Sequence, residues 1–181
     1  MCHYITAVLP ADANREALAV IAEKYQRKLE PIDNSGVAAK LRPGERYFLT
    51  TWAHCDCGTA LGALGSEEAK LRKRKTAADA EGERLKKKGW GASKIARWRA
   101  QKDEHLAKPL HSPQPTEWTA FIRESLASGY TSAIGLLIHF YSGPVTARLE
   151  LKGRQAFTAA EVTDEVLGRM QEDVLYDFKA T

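Results

Sequence analysis

Apolar and polar positions alternate loosely from Cys2 to Leu9 (Cys-His-Tyr-Ile-Thr-Ala-Val-Leu), which is the period-two pattern of a half-buried strand. Past Asp12, a suitable helix cap, Leu18, Ile21, Tyr25 and Leu29 recur at helical spacing until Pro31, predicting a helix over that stretch. Arg46 to Ala53, rich in Thr and aromatic residues, reads as a second strand, and glycines 58, 62 and 65 loosen the chain into a loop after it. From Ser66 to about Lys88 the pattern becomes strongly charged, with Leu71, Ala78 and Leu85 seven residues apart. So narrow an apolar stripe predicts a helix packed on one partner rather than on a broad core.

Gly89-Trp90-Gly91 interrupts that helix, and a second is predicted from Ala92 to about Ala107, carrying Ile95 and Trp98, before Pro109. Thr116 is placed to cap a helix presenting Trp118, Phe121, Ile122 and Leu126, ending at Gly129. Ala133–Tyr141 is apolar enough for a central strand. Ser142-Gly143-Pro144 predicts a turn into an alternating partner strand from Val145 to Leu151. Thr158-Ala-Ala-Glu161 is a capping box ahead of a helix with Val162, Val166 and Met170, and Val174–Phe178 fits a last strand or more helix. The order predicts an α/β (α+β) fold: a mixed sheet of about four to five strands flanked by helices, in one domain spanning 1–181, with 66–108 inserted as a protruding charged helical hairpin.

A chain of 181 residues, 44% apolar and 28% charged, has the composition of an ordinary globular protein with a real core. Its net charge of +4 is uneven: residues 67–108 hold fourteen Lys and Arg against seven Asp and Glu, leaving the rest at −3. Such a basic segment serves either as a solvated arm or as a contact for an acidic partner. The N-terminal residues lack the pattern of an export signal, and Ala133–Tyr141 is too short to cross a bilayer, so no membrane partner is expected. Three cysteines without an export signal point to a reducing, cytoplasmic setting.

Two places carry candidate chemistry. Cys2, Cys55, Cys57 and His54 form the candidate metal set, because thiolates and imidazole are the ligands zinc prefers. In extended chain Cys55 and Cys57 point to one side while His54 and Asp56 point to the other, and Cys2 separates from His3 in the same way. Three thiols can therefore converge, with a fourth ligand from His3, His54, His105 or His111 only if a loop turns suitably. Strand direction decides the matter, since parallel strands would put Cys2 and Cys55 at opposite sheet ends and antiparallel ones would bring them together. With that undecided, less than stoichiometric zinc is expected, and no other cofactor has a binding motif. A thiol hydrolase would pair Cys55 or Cys57 with a histidine such as His139 and an acid such as Asp56.

The second place is the basic arm, where Lys87, Lys88, Trp90, Lys94, Arg97 and Trp98 are the candidate partner-binding residues: tryptophan anchors ringed by cations. A protein partner is expected ahead of nucleic acid, because no separate recognition helix follows Trp98 and Glu81, Glu83, Asp103 and Glu104 would repel phosphates. On these grounds the chain reads as a cytoplasmic protein-binding module, of the inhibitor or immunity type. The alternatives are a thiol- or metal-dependent hydrolase at Cys55, Cys57 and His54, and a nucleic-acid-binding protein using the arm.

Overall fold

The computed structural model describes residues 2–107 and 115–180. The chain divides into two compact units, Met1–Gly65 with Pro113–Thr181, and Ser66–Ser112. The first unit is an α+β fold on one six-stranded mixed sheet. In chain order its strands are β1 (Cys2–Leu9), β2 (Arg27–Pro31), β3 (Arg46–Thr51), β4 (Ala133–Tyr141), β5 (Gly153–Thr158) and β6 (Val174–Lys179), and in space they run β2-β3-β1-β4-β6-β5. All neighbours are antiparallel except β5 and β6. Central β1 is paired on both sides, with Thr6 opposite Leu49 and Leu137, which suits its nearly unbroken burial.

Alternation sends odd-numbered Ile5, Ala7 and Leu9 to one face, against α1 (Arg15–Lys24) and α5 (Thr116–Ala127), whose Leu18, Ile21, Trp118, Phe121 and Ile122 complete the larger core. Val8, Tyr47, Leu137 and Leu175 emerge on the other face beneath Val37 and Leu149. That thinner layer consists of α2 (Ser35–Ala38) and the chain around Leu149, joined by one side chain. Asn34 Oδ1 accepts from Gly36, Val37 and Leu149 N–H, while its Nδ2 donates to the carbonyl of Ala147 at 2.7 Å.

The first helix is capped by Asn14, not Asp12, and ends at Lys24, because Gln26 adopts φ 53° and turns the chain back. Leu29 thus belongs to β2, an edge strand with a bulge and a terminal proline, both usual at sheet edges. Val145–Leu151 is not a strand and does not pair with β4: Asn34 bonds the Ala147 and Leu149 backbone groups, and the partners of β4 are β1 and β6. The capping box forms at Thr158 and Glu161 but closes a 3-10 turn, whereas α6 (Asp164–Gly168) is capped by Thr163. Thr116 is the first residue of α5 and bonds Asp164 instead of capping.

The second unit holds most of α3 (Ala60–Lys87), which begins six residues earlier than its charge pattern indicates, and α4 (Ala92–Ala107). Gly89, at φ 81°, ends α3: Trp90 N–H donates to Leu85 O and Gly89 N–H to Lys86 O, the paired bonds of a Schellman cap. A β-carbon at Gly82 would sit 3.1 Å from Arg99 Nη2, so the two helices lie side by side there. Pro109 and His111, and the side chains of Leu71, Asp103, Glu104 and His105, lie outside the described residues. Among those described, no helix is long and apolar enough to cross a membrane.

Beside the second face, Arg154 of β5 bonds both Glu45 and Asp177, with Nη1 to Glu45 Oε2 at 2.9 Å. Burial alone would raise the Glu45 pKa, but hydrogen bonds from Arg154 and from Arg42 N–H, with both guanidinium charges, hold it below the ordinary value. A carboxyl whose folded pKa is lowered contributes stability that is present above its unfolded pKa and lost as pH falls through the folded one. Urea unfolding at pH 7 and at stepwise lower pH should therefore show Glu45→Gln destabilised by about 1–3 kcal/mol at neutrality. The gap to wild type should close below about pH 4, the unperturbed glutamate range. An equal gap at all pH values would contradict the role assigned to the ion pair.

Candidate thiol site

The site is built around an aspartate. Asp56, 1% exposed, lies at the open end of β1 and β3, where strand pairing stops. Its N–H donates to the His3 carbonyl at 2.9 Å, and its Oδ2 accepts from Ile5 N–H at 2.9 Å. The loop thereby extends the ladder along β1 with one backbone and one side-chain bond. Thr51 Oγ1 donates to the same Oδ2, and Arg27 Nη1 donates to Oδ1 at 2.7 Å. Thr59 closes the turn, its N–H and Oγ1 both donating to Asp56 O at 2.9 Å. Asp56 is turned inward in this loop, while Cys55 beside it is half-buried and Cys57 exposed.

Cys55 and Cys57 accordingly emerge side by side, and antiparallel pairing of β1 with β3 puts Cys2 at the same end of the sheet. The three sulfurs lie within 4.8 Å of one another. The Cys57 backbone N–H lowers the Cys55 thiol pKa, against a rise from burial. Burial raises that of Cys57, partly offset by the His3 N–H, which donates to Cys57 Sγ at 3.1 Å. Tyr4 is raised by burial and then by the charges of Cys2, Cys55 and Cys57, so its phenol shares their surroundings.

Of the histidines named from sequence, His54 is exposed and outside the thiol group, and His139 is engaged by Asp173 and stacks edge-on against Tyr141 at 4.2 Å. His3, read as pointing away from Cys2, does so, yet its Nδ1 stands 4.0 Å from Cys57 Sγ while Nε2 meets Glu172 Oε1 at 2.8 Å. Glu172 thus orients a 4% exposed histidine. Nothing in local spacing links positions 3, 57 and 172. Arg27 escaped notice for a similar reason: it belongs to the strand hidden behind a helical pattern.

In the second unit Lys87, Lys88, Lys94 and Arg97 are exposed, whereas Trp90 and Trp98 are half-buried. Lys94 Nζ sits 4.0 Å over the Trp90 ring, so that indole already has a cation partner.

Gly62 marks how tightly α3 starts against the loop, since a β-carbon there would fall 1.8 Å from Asp56 O. No family model, no curated protein and no solved structure matches this chain.

Asp56→Ala should be the costliest single change near the site, because it strands a buried guanidinium and empties three donors; a loss of about 3–5 kcal/mol is expected by chemical denaturation. Gly62→Ala should also destabilise, whereas Cys57→Ser should shift the midpoint little. Equal stability of Asp56→Ala and wild type would show that the loop is held by something else.

Proposed function

We propose that this protein binds a thiophilic metal ion, zinc in the first instance, through Cys2, Cys55 and Cys57. The observation that carries the reading is the convergence of all three sulfurs within 4.8 Å. Zinc–sulfur bonds of about 2.3 Å place tetrahedral sulfurs roughly 3.8 Å apart, so closure asks for side-chain rotations of ~1 Å rather than backbone rearrangement. Crowded thiols repel one another as they ionise, and a divalent cation is the species that relieves that repulsion. Strand direction, the obstacle to stoichiometric zinc, is removed by the antiparallel β1–β3 pair. His54 drops out of the ligand set, being exposed and apart from the sulfurs.

Three protein ligands leave one position for water or substrate, which is the arrangement of catalytic rather than structural zinc sites. A cavity of about 500 Å³ opens against Cys55 and supplies room for a reactant. This favours metal-assisted hydrolysis as the chemistry of the site. Elemental analysis should find about one zinc per chain, and cobalt substitution should give thiolate-to-metal charge-transfer absorption that Cys2→Ser, Cys55→Ser and Cys57→Ser each reduce. Protein purified without chelators that carries no metal and takes up none would overturn the proposal.

Binding of a protein partner through Lys87, Lys88, Trp90, Lys94, Arg97 and Trp98 is the second reading, favoured by tryptophans that are half-buried rather than enclosed. A complex held by desolvated indoles should survive moderate salt and weaken on Trp90→Ala. One held by phosphate contacts should dissociate steeply as salt rises. A pull-down at two salt concentrations with nuclease treatment in parallel separates these outcomes, and recovery of nucleic acid alone would sink the protein-partner reading.

A further inference from the structure

The cavity beside Cys55 has walls of a particular chemistry. Arg27, Trp52, Thr116, Glu117 and Trp118 line it together with the Cys55–Ala60 loop. Three features there offer hydrogen-bond donors, the first without a side-chain cap, the second unpaired and the third ion-paired through one nitrogen. The first turn of α5 opens onto it: the helix is twelve residues long, Pro115 stands at its N-cap, and no side chain caps it. The N–H groups of Thr116, Glu117 and Trp118 therefore have no intrahelical partner, and the helix dipole adds partial positive charge at that end. Trp118, 2% exposed, has a buried indole Nε1 with no acceptor among the described residues. Arg27 spends one of its five N–H donors on Asp56 and lies 4.2 Å over the Trp118 ring. Buried donors left unpaired are costly, and a helix start, a guanidinium and a tryptophan whose sealed indole N–H lacks an acceptor all border one cavity; they require the same thing of a ligand: oxygen atoms carrying negative charge.

We infer that this cavity is an oxyanion-binding site for a small phosphate- or carboxylate-bearing molecule, seated beside the thiols. Recognition comes from directed donors more than from net charge, because Asp56 balances Arg27 and Glu117 adds an opposing carboxylate in the cavity wall. The remaining wall, Trp52, is 60% exposed and offers a flat apolar face to the rest of the ligand, so an aromatic or otherwise planar body fits alongside the anionic group. The site stands on the cavity alone and does not rest on the metal reading.

Calorimetric titration of the full chain tests it, with phenyl phosphate, benzoate, inorganic phosphate and neutral benzamide as probes. Phenyl phosphate or benzoate should bind saturably and about tenfold more tightly than benzamide, and whichever of the two is preferred identifies the anionic group. Trp118→Phe, which keeps an aromatic ring but removes the pyrrole ring with its N–H, should weaken that anion roughly three- to tenfold and leave benzamide unchanged. Trp52→Ala should erase the advantage of phenyl phosphate over inorganic phosphate, and the surface change Glu117→Gln should tighten both anions without touching the core. The same titrations on a Cys2→Ser, Cys57→Ser double variant should give unchanged affinities, which separates this site from any metal at the thiols. Absence of saturable oxyanion binding, benzamide binding as tightly as the preferred anion, or oxyanion affinity lost with the thiols would each overturn the inference.

Discussion

The Arg27–Asp56 ion pair is almost wholly enclosed, and both its partners hold up the same corner of the sheet. A charge pair taken this far out of water gains little over a well-packed apolar pair, but losing either member leaves an uncompensated charge behind. Here the geometry supplies the remaining bonds: the Asp56 oxygens take up Ile5 N–H, Thr51 Oγ1 and Arg27. The pair therefore acts as a locator. It fixes how the start of β1 is held, how β2 meets β3, and which way the loop after β3 faces.

The thiols follow from that. Cys55 and Cys57 flank the anchored aspartate and must leave it in the opposite direction, while antiparallel β1 brings Cys2 to meet them. Neither of these alone gathers three sulfurs. The same anchoring shapes the cavity, because Arg27, held on one side by Asp56 and on the other by the Trp118 ring, becomes its wall. Thiols and cavity thus share a structural origin, and any ligand in one lies next to the other. His3 joins them from the helix-facing side of β1, reaching Cys57 on one edge of its ring and Glu172 on the other.

Away from this corner the fold uses different means. The large core between the sheet and helices α1 and α5 is aromatic and aliphatic, whereas the thinner layer on the reverse face depends on Asn34 and on Arg154 with its two carboxylates. The segments there form turns of their own, and the Asn34 side chain ties them to one another. This is why a stretch with strand-like alternation, Val145–Leu151, lies across the sheet instead of joining it.

Local sequence determined the elements whose patterns are long or punctuated: β1, β4, α5, the Gly89 break and the capping box at Thr158 were legible because periodicity and capping act over a few residues. Cys55 and Cys57 do converge, as alternation in an extended chain predicts, but they lie in the loop after β3, where the inward turn of Asp56 holds them. Local pattern misled where two periods overlap, as at Leu29, which continues a helical spacing but belongs to an edge strand after the left-handed turn at Gln26. Only tertiary structure decided the meeting of Cys2 with the other thiols, the pairing of β5 with β6, and the convergence of His3 with Glu172. These depend on strand direction and on contacts between residues up to 169 positions apart. Spacing along a chain carries no record of such contacts, because they are set when the sheet closes and the buried charge of Asp56 finds Arg27.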